Sequence, residues 1–204
     1  DKPPVFTAIV KKGKLCDTIL EQSIELNVDL IVMGTSTADN IKKKIIGSNA
    51  LRVATEAEMP VVTVKKGCAS KKLDRVILPL DLTKETREKV TNALRLARMC
   101  DSKIYAVSFS STNDERVVNH LKNQLHQVKE FVSDAGIEIE TEYRYYNSGS
   151  RDEKLVEFIQ EKEGDIVIIT THQQPEIIRF FLGSFAKEVM HSAPVPVLSI
   201  VPKG

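Results

Sequence analysis

Two stretches of this chain carry residue types that can hold a phosphate. One reads Gly34-Thr35-Ser36-Thr37, passes nine residues from Ala38 to Ile46, and reaches Gly47-Ser48. The other reads Thr170-Thr171-His172-Gln173, passes nine residues from Gln174 to Leu182, and reaches Gly183-Ser184. Glycine lets backbone N–H groups approach an anion, and a helix opening at Gly-Ser offers free donors and a positive dipole end. Asp81 adds a carboxylate at the end of the apolar run Val76–Leu80. The same Gly-Ser pairs also suit a plain helix start, where Ser caps and Gly eases the turn. Both readings stand at this point.

Other chemistry finds less support. Cys16, Cys68 and Cys100 are odd in number and scattered, which argues against a disulfide framework and for a reducing compartment. His120, His126, His172 and His191 have no partners at metal-ligand spacing, so no metal site is expected. Ser184, His172 and Asp81 could be imagined as a hydrolytic trio, but no Gly-x-Ser-x-Gly elbow presents the serine. No catalytic residue is assigned. Glu138, Glu140 and Glu142 alternate along one strand and read as an edge kept soluble by charge.

The elements that position the two stretches come from an internal repeat. A shift of 136 residues aligns Asp29-Leu-Ile-Val with Asp165-Ile-Val-Ile, Gly13 with Gly149 and Thr35 with Thr171. It also aligns Gly47-Ser48 with Gly183-Ser184, Ala50 with Ala186, Val53 with Val189, and Pro60-Val61 with Pro196-Val197. No gap is needed. The complete copy predicts strands at Arg75–Asp81, Ile104–Phe109, Ile137–Tyr145, Asp165–Thr170 and Pro196–Val201. Helices fall between them at 84–100, Asn113–Ala135, Arg151–Lys162 and from about Gly183. The first copy supplies only the back of that series. Val5–Val10 is its third strand, Lys14–Leu26 a helix and Leu30–Met33 its fourth strand. The helix at about Gly47–Ala57 and the strand Val61–Lys65 complete it.

These residues resemble the universal stress protein family. That family's fourth strand ends in Gly-x-x-Gly, then nine residues, then Gly-Ser or Gly-Thr, and its first strand is similar to Val76-Ile77-Leu78-Pro79-Leu80-Asp81. Pro79 would otherwise argue against a central strand. The resemblance implies an α/β fold in tandem copies, each an open parallel five-stranded sheet with helices on both faces and strand order 3-2-1-4-5. It divides the chain into residues 1–66 as the back half of a first domain, 67–72 as a linker, and 73–204 as a complete second domain. Roughly 70 residues of front half are then expected before Asp1, since a domain of ordinary size needs them.

In nucleotide-binding members the first-strand Asp helps hold the adenosine part, so the resemblance marks candidate sites. Those of the first copy are Gly34, Thr37, Gly47 and Ser48; those of the second are Asp81, Thr170, Gly183 and Ser184. Each set departs from the pattern. Thr37 replaces the second glycine of the first copy, and Thr170 and Gln173 replace both early glycines of the second. The expected function is therefore a non-enzymatic stress-response or regulatory module acting through dimer-like assembly and partner contacts. The alternative is an ATP-binding switch, with Mg-ATP as its ligand.

The family commonly dimerises along its last strand, so the resemblance implies that Val61–Lys65 and Pro196–Val201 pair with each other. Without first and second strands, Val5–Val10 has no neighbour. Either another polypeptide fills the gap or this segment is displaced. Composition adds little. Lys plus Arg number 29 against 28 Asp plus Glu, a balance that points to neither nucleic acid nor an anionic membrane. With no long apolar run and no signal peptide, a cytoplasmic protein is expected.

Overall fold

A computed structural model of the chain describes residues 3–35, 46–68, 72–83, 86–171 and 183–202. In chain order the elements are α1 (Leu15–Glu25), β1 (Ile31–Gly34), α2 (Ser48–Glu56), β2 (Val61–Val64) and β3 (Arg75–Leu80). Then come α3 (Thr86–Cys100), β4 (Lys103–Ser110), α4 (Glu115–Asp134) and β5 (Ile139–Tyr145). The last are α5 (Arg151–Glu161), β6 (Ile166–Thr170), α6 (Ser184–Ser192) and β7 (Val197–Ile200).

Local chemistry sets several of these boundaries. Asp114 caps α4 by accepting from the Arg116 N–H, and Gly136, at φ +79°, ends it in the left-handed region that glycine tolerates. Ser150 and Glu153 form a reciprocal capping box at the start of α5. β6 is apolar until its last residue and buried at every position, as a central strand covered on both faces must be.

The strands form one sheet in the order β1-β2-β7-β6-β3-β4-β5. Within it β5-β4-β3-β6-β7 is the expected 3-2-1-4-5 arrangement, all parallel. β1 and β2, also parallel, are the fourth and fifth strands of the first copy. The two last strands do meet: β2 pairs antiparallel with β7, Val61 opposite Ser199, Val62 opposite Leu198 and Thr63 opposite Val197. This seam joins both copies into a continuous sheet.

Pro79 is accommodated for a local reason. The Arg75 N–H donates toward β6, so by alternation the missing N–H of Pro79 also faces β6. The β3–β6 ladder ends at Ile77, two residues earlier. The missing donor thus falls where that pairing has already ended.

Two cores lie on opposite faces. One joins Val53, Ala54 and Val61 of the first copy to Leu155, Phe158, Val189 and Met190 of the second, under α1, α2, α5 and α6. The other packs Val90, Ala93, Leu94, Leu125 and Val132 from α3 and α4 onto β3, β4, β6 and β7. At the far edge β5 carries Glu140 and Glu142. Lys103 pairs with Glu138 and Glu140, and Arg144 and Lys162 with Glu142, which gives the charged edge expected.

One predicted element is absent. Val5–Val10 forms no strand, and Val5, Phe6 and Val10 are exposed. Its would-be neighbours are not in this chain, so its backbone groups have no ladder to join.

Candidate functional site

The second-copy candidates converge at the carboxyl ends of β3 and β6, where a parallel sheet of this order places its ligands. Asp81 follows the last residue of β3, Thr170 ends β6, and Gly183-Ser184 opens α6. The first-copy residues Gly34, Gly47 and Ser48 end β1 and open α2 in the same way. Because β2 and β7 are antiparallel, the described candidates of the two copies lie at opposite ends of the sheet. Thr37, His172 and Gln173 fall outside the described residues.

Asp81 is buried and heavily engaged. Arg151 Nη2 donates to Oδ2 at 2.9 Å, the Thr83 hydroxyl donates to Oδ1 at 2.5 Å, and Lys89 Nζ lies 3.4 Å from Oδ1. Its backbone carbonyl accepts from the Thr86 hydroxyl at 3.0 Å and from Gln124 Nε2 at 2.8 Å. Burial by itself would push the carboxyl up. The charges of Lys89 and Arg151, with hydrogen bonds from Thr83 and Arg151, outweigh it and bring the pKa to about 2. A carboxylate so placed is ionised, paired and not available as a base.

The two cations differ in setting. Lys89 is only 2 % exposed and also donates to the Pro79 carbonyl at 3.1 Å. Arg151, the first residue of α5, lies with its guanidinium carbon 4.1 Å from the Phe185 ring centroid. It thus spans the gap between the end of β3 and the first turn of α6.

The glycines close their own loops. The Gly47 N–H donates to the Thr35 carbonyl at 3.2 Å, and the Gly183 N–H to the Thr171 carbonyl at 2.9 Å. A Cβ at Gly47 would stand 3.2 Å from the Thr35 oxygen. Close approach is therefore needed here by the chain itself, whatever else binds. Along the β4–β3–β6 crest, Ser108 Oγ, Thr170 Oγ1 and Gln124 Oε1 are buried without a hydrogen-bond partner.

Comparison with known proteins agrees with this architecture. The universal stress protein family model matches residues 1–65 and 72–200. The chain belongs to the universal stress protein family. A universal stress protein of Methanocaldococcus jannaschii is 25 % identical over 140 residues, which are 62 % of this chain and 81 % of that protein. Among solved structures, a universal stress protein from Archaeoglobus fulgidus DSM 4304 superposes with a TM-score of 0.69 at 20 % identity. That match covers 91 % of this chain but only 64 % of the other, so this chain spans less than two thirds of that relative's length. A universal stress protein from Archaeoglobus fulgidus in complex with dAMP superposes at 0.52 with 22 % identity, covering 62 % and 97 %.

Several site residues escape the family motif. Lys89 could have been found as a lone charge on the apolar stripe of α3, one turn before Ala93. Arg151 had a fainter signal: the repeat puts it opposite Leu15, an apolar residue. Gln124 gave none. His191, without a partner in the sequence, accepts from the Ile46 N–H at Nδ1 at 3.2 Å, a contact between copies.

Proposed function

We propose that this universal stress protein acts as a non-enzymatic regulatory module through assembly and partner contacts, its second-copy nucleotide site degenerate. The observation that carries this reading is the engagement of Asp81 by Arg151 and Lys89. Arg151 stands in the space that the end of β3 and the start of α6 would otherwise share with a ligand. The adenosine part of a nucleotide would have to reach the Asp81 carboxylate, and displacing Arg151 would strip that carboxylate of a partner.

Calorimetric titration of the chain with Mg-ATP tests this. No saturable heat is expected in the micromolar range. A Kd near 1 µM corresponds to about −8 kcal/mol, and such binding, lost in both Asp81→Ala and Ser184→Ala, would overturn the reading.

The second reading is an ATP-binding switch. What favours it is the row of unpartnered polar atoms Ser108 Oγ, Thr170 Oγ1 and Gln124 Oε1 beside the site, and the Archaeoglobus relative in complex with dAMP. Under it Arg151 would swing out on binding, and Arg151→Ala would tighten Mg-ATP.

A further inference from the structure

His191 stands in the last turn of α6, at the other end of that helix from Gly183-Ser184, and it touches the first copy. Its Nδ1 accepts from the Ile46 N–H at 3.2 Å. Ile46 is 2 % exposed and leads directly into Gly47-Ser48, where α2 opens. The Gly47 N–H in turn donates to the Thr35 carbonyl, just beyond β1. The opening of α2 is thus fixed on one side by its own copy and on the other by a side chain of the second.

Lys65 holds the imidazole in place. Its ammonium donates to the His191 and Ala193 carbonyls, which ties the end of α6 to the end of β2. With the backbone pinned, what remains adjustable at this contact is the proton on the ring. An imidazolium carries N–H on both nitrogens, so protonation at Nδ1 would set two donors against each other. The Ile46 amide would then be buried without an acceptor, a cost that drives it off the ring. Among the described residues, the charged groups facing His191 are Lys187 and Glu188 on α6 and Lys65 from β2. Burial has the largest influence and holds the ring below the usual 6.5; the two lysines add to it and Glu188 opposes. The contact is therefore made at neutral pH and lost in acid.

The repeat gives this device to one copy alone. The 136-residue shift puts Thr55 opposite His191, and Val201 opposite Lys65. The Thr55 hydroxyl donates to the Leu51 carbonyl of its own helix at 2.8 Å, and a hydroxyl takes up no proton in this range. Valine carries no charge to pin a helix end.

We infer that His191 is a proton-operated latch between the copies: neutral, it secures the residue that leads into Gly47-Ser48; protonated, it releases that opening while the β2–β7 seam stays paired. The proton comes from solvent to Nδ1, and no covalent bond other than the new N–H changes. The latch acts on the backbone of the first copy and operates whether or not a nucleotide binds there.

NMR on the 204-residue chain tests it. The His191 Cε1–H and the Ile46 amide should titrate with a common midpoint below 6.5. Corrected for intrinsic exchange, Ile46 protection should fall on the order of 10-fold between pH 7.5 and 5. The Gly183 amide, at the matching place in the second copy, and the Thr63 amide in the seam should keep theirs. His191→Gln, neutral throughout and with an amide oxygen to accept, should leave Ile46 protection flat over the same range. Separate midpoints for His191 and Ile46, unchanged Ile46 protection in the parent, or an equal fall in His191→Gln overturns the inference. So does a parallel loss at Thr63, which assigns the acid response to the seam as a whole. Should His191→Gln not fold, the midpoints and the Ile46, Gly183 and Thr63 protection of the parent decide alone.

Discussion

Arg151 reaches from the first turn of α5 to place its Nη2 2.9 Å from Asp81 Oδ2, across the mouth where β3 ends. With Lys89 on the other carboxylate oxygen, the pair makes Asp81 an internal tie between β3, α3 and α5.

That tie predicts non-additive mutants. Asp81→Ala leaves Lys89 buried without its counter-charge, and losing one member of a buried pair costs about 3–5 kcal/mol. Adding Lys89→Met removes the stranded charge and should recover most of the loss, because Met fits the apolar stripe of α3. Urea denaturation of the two single variants and the double variant measures the coupling. Additive costs would mean that the two side chains do not depend on each other.

The fold was legible because it rests on patterns that repeat. The 136-residue shift, the apolar run of β6 and the helical stripe of α4 are properties of the chain read alone, and each reappears in the structure. Val5–Val10 misled because an apolar run says that a segment wants a partner, not that one is present. The site was half legible. Asp81, Gly183 and Ser184 follow from the family resemblance, whereas Arg151 and Gln124 arrive from α5 and α4, distant in sequence. Their contacts with Asp81 exist only once both faces of the sheet are packed.

Acid should expose the same cluster. The Asp81 pKa lies at about 2 in the folded chain against 3.8 ordinarily, so folding favours the ionised form. That contribution, about 2 kcal/mol, is present above pH 3.8 and lost as pH falls from there toward 2. Asp81→Asn should be less stable at neutral pH but flatter than the parent across this window. Chemical denaturation at pH 5, 4 and 3 checks it, and parallel slopes would count against the pairing.

His191 gives a second, milder window. Burial holds its imidazole below the usual 6.5, with Lys187 and Lys65 adding to the effect and Glu188 opposing it. Its Nδ1 must be unprotonated to accept from the Ile46 N–H. The unfolded chain therefore takes up a proton first, and stability should fall as pH drops below 6.5 toward the lower folded value. His191→Gln, neutral throughout, should show a smaller drop in Tm between pH 7.5 and 5.5. An equal drop in both would place the pH sensitivity elsewhere.

The seam between copies is the last target. Pro60 and Val64 offer their carbonyls to β1, so by alternation the Val61 and Thr63 N–H groups face β7. Thr63 stands opposite Val197, and its hydroxyl also reaches the Val197 carbonyl at 3.4 Å. Thr63→Pro removes the ladder donor and sets a ring against β7, a change expected to cost well over the about 1 kcal/mol of a single hydrogen bond. Thr63→Val keeps the ladder and loses only a long side-chain bond, so its cost should stay within about 1 kcal/mol. The two variants separate the strand pairing from the side chain. Lys65, which donates to the His191 and Ala193 carbonyls at 2.6 and 3.0 Å, anchors the same junction from the first copy. Hydrogen exchange should then show β7 amides opening with β2 in Thr63→Pro, ahead of β3 and β4. If the proline variant keeps β7 protected and melts with the parent, the copies are not joined through this pair of strands in solution.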